Sequence, residues 1–166
     1  MTRSSDARTR TAGAGAWSRR LLLGLLSGSA ALALRQARAA APVDEDKPFA
    51  EHRLALQLSD REPAKRALVL SVANNVLRAY GPDRIAVEIV AFGPGIDLLR
   101  AESPDRQAVD SLVSQGVRFD VCINTVETVE RETGKPVALN PHARPVTAGV
   151  ARLLTLAEQG YTVVRP

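Results

Sequence analysis

"RIAVEIVAF", Arg84 to Phe92, is the stretch that decides the fold. It is rich in β-branched residues and nearly continuous in apolar character, which is the signature of a strand covered on both faces. A strand of that kind belongs in a parallel sheet with helices above and below it. The flanking segments agree. "RLALQLS", Arg53 to Ser59, alternates with Leu54, Leu56 and Leu58 on one face and predicts a first strand. Between the two strands, Asp60 is placed to cap a helix, with Glu62 in its first turn and Pro63 near its start. Ala64, Ala67, Leu68, Leu70, Val72, Val76, Leu77 and Tyr80 supply its apolar stripe up to Gly81.

After Phe92, Gly93-Pro94-Gly95 predicts a turn, followed by a short helical piece over Ile96 to Ala101. Ser103-Pro104-Asp105 seeds a second helix that runs to Gly116. "VRFDVCI", Val117 to Ile123, predicts a third strand, and Asn124, as the expected N-cap, opens the next helix, which ends near Gly134. Residues 135 to 145 are a Pro-rich crossing, "RPVT" a very short fourth strand, Thr147 the cap of a last helix to Gly160, and "YTVV" a last strand. Strand and helix alternate about five times. The connection rules then give an α/β fold, an α/β/α sandwich with a parallel sheet, right-handed crossovers and helices on both faces.

The composition bounds the rest. The chain has 166 residues and a formal charge of +4, which at first suggests an acidic partner. Its distribution removes that suggestion. Residues 1–39 hold seven arginines and one acid, leaving 15 basic against 17 acidic residues from residue 40 onward, a net of about −2. No nucleic-acid partner is expected, and with only Phe49, Phe92, Phe119, Tyr80 and Tyr161 as aromatics beyond residue 39 there is no stacking surface for single strands.

Residues 1–39 read as a targeting segment: an Arg- and Ser-rich start, Ser18-Arg19-Arg20, a 14-residue apolar run from Leu21 to Leu34, and Ala37-Arg38-Ala39 as an A-x-A cleavage site. The run is short for a bilayer span, which takes about 20 residues, so no stable membrane span is expected after cleavage. Paired arginines ahead of a mildly apolar core are similar to a twin-arginine signal, with an ordinary secretory signal or an uncleaved anchor as the alternatives. The expectation is export to the periplasm, with membrane anchorage if the leader stays. Residues 40–51, with two prolines and four acids, predict a disordered linker, and residues 52–166 a single domain.

Cys122 is the lone cysteine, so no intrachain disulfide can form. α/β sheets bind ligands beyond the carboxyl ends of their strands. The residues expected there are Ser59-Asp60, Gly93-Pro94-Gly95, Cys122 with Asn124 and Thr125, and Thr147-Ala148-Gly149. At a helix start, unpaired N–H groups and the positive end of the dipole stabilise a thiolate. A buried, inert cysteine is the other reading. Asn124 and Thr125 can hydrogen-bond a sulfur or an oxyanion. His52 opens strand one, at the edge opposite Cys122, which argues against a metal site. Only His142 is left to pair with the thiol. There is no GxGxxG fingerprint and no Walker loop, and no cofactor is expected.

"HRLALQLSDREPAKRALVLSVANNV", "VEIVAFGPGIDLL", "GVRFDVCINT" and "PVTAGVARLLTLAEQGYTVVRP" together resemble the DsrE/DsrF-like family over residues 52–166. The resemblance implies a three-layer α/β/α sandwich with a five-stranded parallel sheet, assembled as a homo-oligomer, a trimer or hexamer. It also implies a cysteine, at the position of Cys122, that accepts sulfane sulfur as a persulfide and exchanges it with a thiol-bearing protein donor or acceptor. The stretch Asn124-Thr125-Val126-Glu127 departs from the small residues and Arg-Gly that follow the cysteine in the sulfur-relay members. Against the carrier stands a non-catalytic oligomeric module that binds a small ligand or acts as a scaffold. In that reading Cys122 is structural, and Arg118 and Asp120 face a polar partner surface.

Overall fold

A computed structural model describes residues 47–166; the expected leader (1–39) and the start of the expected linker (40–46) lie outside the described residues. The strands are β1 (His52–Leu58), β2 (Ile85–Ala91), β3 (Arg118–Cys122), β4 (Ala143–Val146) and β5 (Thr162–Val164). The helices are α1 (Pro63–Tyr80), α2 (Arg106–Ser114), α3 (Ile123–Thr133) and α4 (Gly149–Glu158), with a 3-10 segment over Gly93–Leu99. The sheet is all parallel, in the order β4-β3-β2-β1-β5. It is the middle layer of a three-layer α/β/α sandwich.

That order explains which helix lies on which face. From β1 to β4 each strand is laid beside the last in one direction, so right-handed crossovers put α1, α2 and α3 on one side. The connection from β4 to β5 runs back past three strands, and the same handedness sends α4 to the opposite side. The apolar clusters divide accordingly. Val69, Leu70, Ala73 and Leu77 of α1, Val109 and Leu112 of α2 and Val126 of α3 pack with Leu56, Ile89, Phe119 and Val121. Leu153 and Leu156 of α4 pack with Ala55, Ala86, Val90 and Tyr161. Each such buried leucine contributes about 1.5–3 kcal/mol. All seven residues of β2 are buried, as the reading of "RIAVEIVAF" requires.

Several local expectations change. Asp60 does not cap α1: the helix starts at Pro63 behind Glu62, with no side-chain cap, and Asp60 instead pairs with Arg165 at 3.1 Å. Gly93-Pro94-Gly95 is not a separate turn but the first part of the 3-10 segment. Gly95 is there because the chain crosses β1 closely: a Cβ would lie 2.3 Å from the Leu58 carbonyl oxygen. Asn124 and Thr147 are not N-caps. α3 begins two residues earlier, with Cys122 at its N-cap, and α4 follows Ala148. β3 turns directly into α3, β4 reaches α4 through Thr147 and Ala148, and neither helix has a side-chain cap on its first N–H groups. Of the segment read as linker, Ala50 is buried, the Glu51 N–H donates to the Arg84 carbonyl at 2.9 Å, and Lys47 donates to the Pro82 and Gln115 carbonyls. No helix among the described residues is long and apolar enough to cross a membrane.

Candidate functional site

β3 and β4 are neighbours, with Cys122 level with Val146. The chain leaves β3 into α3 on one face of the sheet and leaves β4 into α4 on the other. Adjacent strands whose connections diverge in this way open a crevice at their carboxyl ends, the place where open α/β sheets hold ligands. Cys122 stands in that crevice. Position 122 lies on the same face of β3 as Asp120, toward α4.

Two helix starts converge on its sulfur. Burial pushes the thiol up. The Thr125 hydroxyl and the backbone N–H groups of Gly149, Thr125 and Asn124 outweigh it, leaving the thiol below its ordinary value. The Thr125 hydroxyl is held in place because its oxygen accepts the Gly93 N–H at 3.1 Å, which leaves its proton for the sulfur. When protonated, Cys122 donates to the Thr147 carbonyl oxygen at 3.8 Å. That carbonyl also accepts the Asn124 N–H at 3.2 Å and so ties the two helix starts together. Gly149 packs directly on the Phe92 ring, where a Cβ would lie 2.8 Å from ring and Cβ atoms. Cys122 is 5% exposed.

The expected site residues divide into three groups. Asn124, Thr125 and Gly149 meet the sulfur. Gly93 and Pro94, with Asn124 and Thr125, line a cleft of about 650 Å³ on the α3 side, where Asp97 pairs with Arg100 at 2.7 Å and Arg61 at 3.7 Å. Cys122 is not among the walls of that cleft, so Asn124 and Thr125 are the residues that touch both. Ser59 and Asp60 hydrogen-bond each other at 3.4 Å beside Arg165, and Gly95 is buried against Leu58; none of the three lines the cleft.

His142 cannot serve the thiol. It precedes Ala143, which is level with Phe119, so it sits about 13 Å along the sheet from Cys122 at about 3.3 Å per residue. It lines a smaller pocket of about 240 Å³ with Lys47, Arg118 and Arg144. His52 packs against Tyr80 with ring centroids 4.3 Å apart and ring planes tilted by 47°. Among the described residues no group of three or more His, Cys, Asp and Glu is placed to hold a metal ion.

The residues that sequence reasoning missed lie just behind the thiol. Glu88 and Asp120 are 0% exposed. Arg152 of α4 bridges them, with Nη2 2.6 Å from Glu88 Oε1 and Nε 2.9 Å from Asp120 Oδ2. Arg118 holds the other Glu88 oxygen at 2.9 Å and donates to the Tyr161 hydroxyl at 2.7 Å. Arg144 approaches Asp120 Oδ1 at 3.5 Å, outside hydrogen-bond geometry. Burial, together with the hydrogen bond and charge of Glu88, pushes Asp120 up to about 7, against Arg144 and Arg152. For Glu88 burial acts upward too, but Asp120, Arg152 and Arg118 hold it below the usual carboxylate range. Of the pair, Asp120 is the carboxyl that keeps its proton toward neutral pH and Glu88 the one that stays ionised. This corrects the expectation that Arg118 and Asp120 face an outside partner: their partners are within the chain. The available signal was Glu88 itself, a lone charge inside an otherwise apolar strand, which demands a buried counter-charge.

Comparison with known proteins returns the fold. No protein-family model and no curated protein matches the chain. The chain is similar to a solved structure described as a protein of unknown function, MTH1491 from Methanobacterium thermoautotrophicum. It is 26% identical, with a TM-score of 0.63, over 70% of this chain and 100% of that one. The described domain is a three-layer α/β/α sandwich with Cys122 at the point where its two layers of helices part.

Proposed function

We propose that this chain is a DsrE/DsrF-like sulfur carrier that holds sulfane sulfur on Cys122 as a persulfide. The observation that carries the reading is the convergence of three backbone N–H groups and the Thr125 hydroxyl on a sulfur at the crevice between β3 and β4, enough to lower the thiol despite its burial. The step is a displacement. The Cys122 thiolate attacks the outer sulfur of a donor persulfide, R–S–SH; the new S–S bond forms as the donor's own S–S bond breaks, and R–S⁻ leaves as a thiolate. The acceptor's thiolate then attacks the outer sulfur of Cys122–S–SH and restores the Cys122 thiolate. The transferred sulfur arrives already oxidised to the sulfane level, so no external oxidant is required. The chain is then a carrier with no catalytic cycle of its own.

Mass spectrometry of the purified chain after incubation with thiosulfate or polysulfide tests this. A +32 Da adduct that is absent in Cys122→Ser is expected; no adduct, or one that survives the substitution, overturns the reading.

The same proposal includes export by the twin-arginine-type leader to the periplasm, a homo-oligomer, and a thiol-bearing protein as donor or acceptor. Fractionation of cells expressing wild-type chain and an Arg19→Lys/Arg20→Lys variant tests the export route, and sedimentation tests the assembly.

One observation favours a second reading. Cys122 is 5% exposed and outside the walls of the 650 Å³ cleft, as a structural cysteine beside a non-catalytic ligand-binding or scaffold module would be. A thiol that iodoacetamide cannot label in the folded protein would establish that alternative.

A further inference from the structure

We propose that Arg152 is a positioning residue for the Cys122 thiolate. Gripped by the buried carboxyls of Glu88 and Asp120, it fixes the first turn of α4 so that the Gly149 N–H points at the sulfur. The inference rests on the reading of Cys122 as the working thiol and adds the device that aims a hydrogen bond at it.

α4 is the one helix on its side of the sheet among the described residues. Its apolar hold, Leu153 and Leu156 against Ala55, Ala86 and Val90, is non-directional and tolerates small rotations and slides of the helix. A hydrogen bond to a sulfur does not tolerate them. Arg152 supplies the missing direction. It follows Gly149 by three residues, within one turn, and its own N–H closes that turn on the Ala148 carbonyl at 3.0 Å. Its planar guanidinium reaches two different strands with two nitrogens, Nη2 2.6 Å from Glu88 Oε1 on β2 and Nε 2.9 Å from Asp120 Oδ2 on β3. That is a two-point fixture that a flexible ammonium cannot reproduce.

Stability alone does not account for such a cluster. Replacing buried ion pairs by well-packed apolar side chains is often neutral or stabilising, because desolvation offsets the attraction. Here two carboxyls are withdrawn fully from solvent, one Asp120 oxygen is left without a hydrogen bond, and the result is an α4 held in one register. β3 carries Asp120 two residues before Cys122 on the same face, so the fixture and the thiol share one rigid strand.

The groups facing the carboxyl pair are Arg118 from β3, Arg144 from β4, Arg152 from α4 and, through Arg118, the Tyr161 hydroxyl. Those facing the sulfur are the Thr125 hydroxyl, the Thr147 carbonyl and the N–H groups of residues 124, 125 and 149.

The experiment measures the pH dependence of Cys122 alkylation by iodoacetamide in the folded full-length chain, for wild type, Arg152→Lys and Arg152→Gln. Arg152→Lys keeps the positive charge and loses the two-point grip, so it separates positioning from simple electrostatic attraction. The expected result is an upward shift of the alkylation midpoint by about one pH unit in both variants, equivalent to weakening one hydrogen bond to the thiolate. Amide exchange at Gly149 should be faster in both. A midpoint in folded Arg152→Lys equal to that of wild type overturns the proposal. If Arg152→Gln does not fold because Glu88 is left uncompensated, Glu88→Gln/Arg152→Gln removes both charges and must show the same shift. The two readings fail separately. A wild-type chain that takes up no sulfane sulfur, with a shifted midpoint in Arg152→Lys, sinks the carrier and leaves the positioning. A +32 Da adduct with unshifted midpoints does the reverse.

Discussion

Replacing Asp120 with asparagine should remove a pH dependence of stability that the wild-type chain carries through neutrality. In the folded chain Asp120 is pushed up to about 7, chiefly by burial and by Glu88. In the unfolded chain an aspartate ionises near about 3.9. The folded state therefore keeps a proton that the unfolded state has released. The stabilisation this gives is complete below the unfolded value and is lost as pH rises through the folded one. Each pH unit in that window is worth about 1.4 kcal/mol, so wild type should lose about 3 kcal/mol between pH 5 and pH 7 from this group. Glu88 does not confuse the measurement. Its folded value lies below the usual range, so above about pH 5 it is ionised in both states. The carboxamide of the Asp120→Asn variant keeps the shape of the protonated acid, can donate to Glu88 as that acid does, and has no proton to lose. Urea unfolding of both chains at pH 5, 6, 7 and 8 reads the effect as a difference, in which the other titrating groups cancel. With a slope of about 1–3 kcal/mol per molar urea, the midpoint of Asp120→Asn should gain about 1–3 M on wild type between pH 5 and pH 7 and little beyond. Parallel midpoints over the whole range would refute the account of Asp120 as the protonated member of the pair.

The other expected outcomes concern the thiol and its frame. Thr125→Val removes one donor to the thiolate while keeping the side chain's volume, so the midpoint of Cys122 alkylation should rise by about one pH unit; an unchanged midpoint would show that the backbone N–H groups suffice. Gly95→Ala forces a Cβ against the Leu58 carbonyl, a backbone atom that cannot rotate away, and should cost about 1–3 kcal/mol in urea unfolding. Wild-type stability there would mean that the 3-10 segment shifts to make room.

How much of this was legible in the residues follows from what each signal depends on. The five strands and four helices are written locally, in the alternation of Leu54, Leu56 and Leu58, in the unbroken apolar run of β2, and in the helical stripe before Gly81, because side-chain periodicity reports directly which faces meet a core. The parallel α/β class follows from their alternation. Helix starts were read less well. Asp60, Asn124 and Thr147 look like caps by residue type, yet α1 starts at a proline, α3 directly at the end of β3 and α4 behind Ala148, and tertiary contacts satisfy the chain instead: Asp60 to Arg165 and the Thr147 carbonyl to Asn124. Cys122 could be assigned to a strand end from the sequence by itself, since that needs only local pattern. What the tertiary structure alone decided is the order β4-β3-β2-β1-β5 and its consequences. That order makes β3 and β4 neighbours with diverging helices, brings the Gly149 N–H from 27 positions along the chain to the sulfur, and sets Arg152 between Glu88 and Asp120. Strand order is a choice among global packings with the same local patterns. It is settled by contacts between residues far apart in the chain, and no periodicity within one segment can carry it.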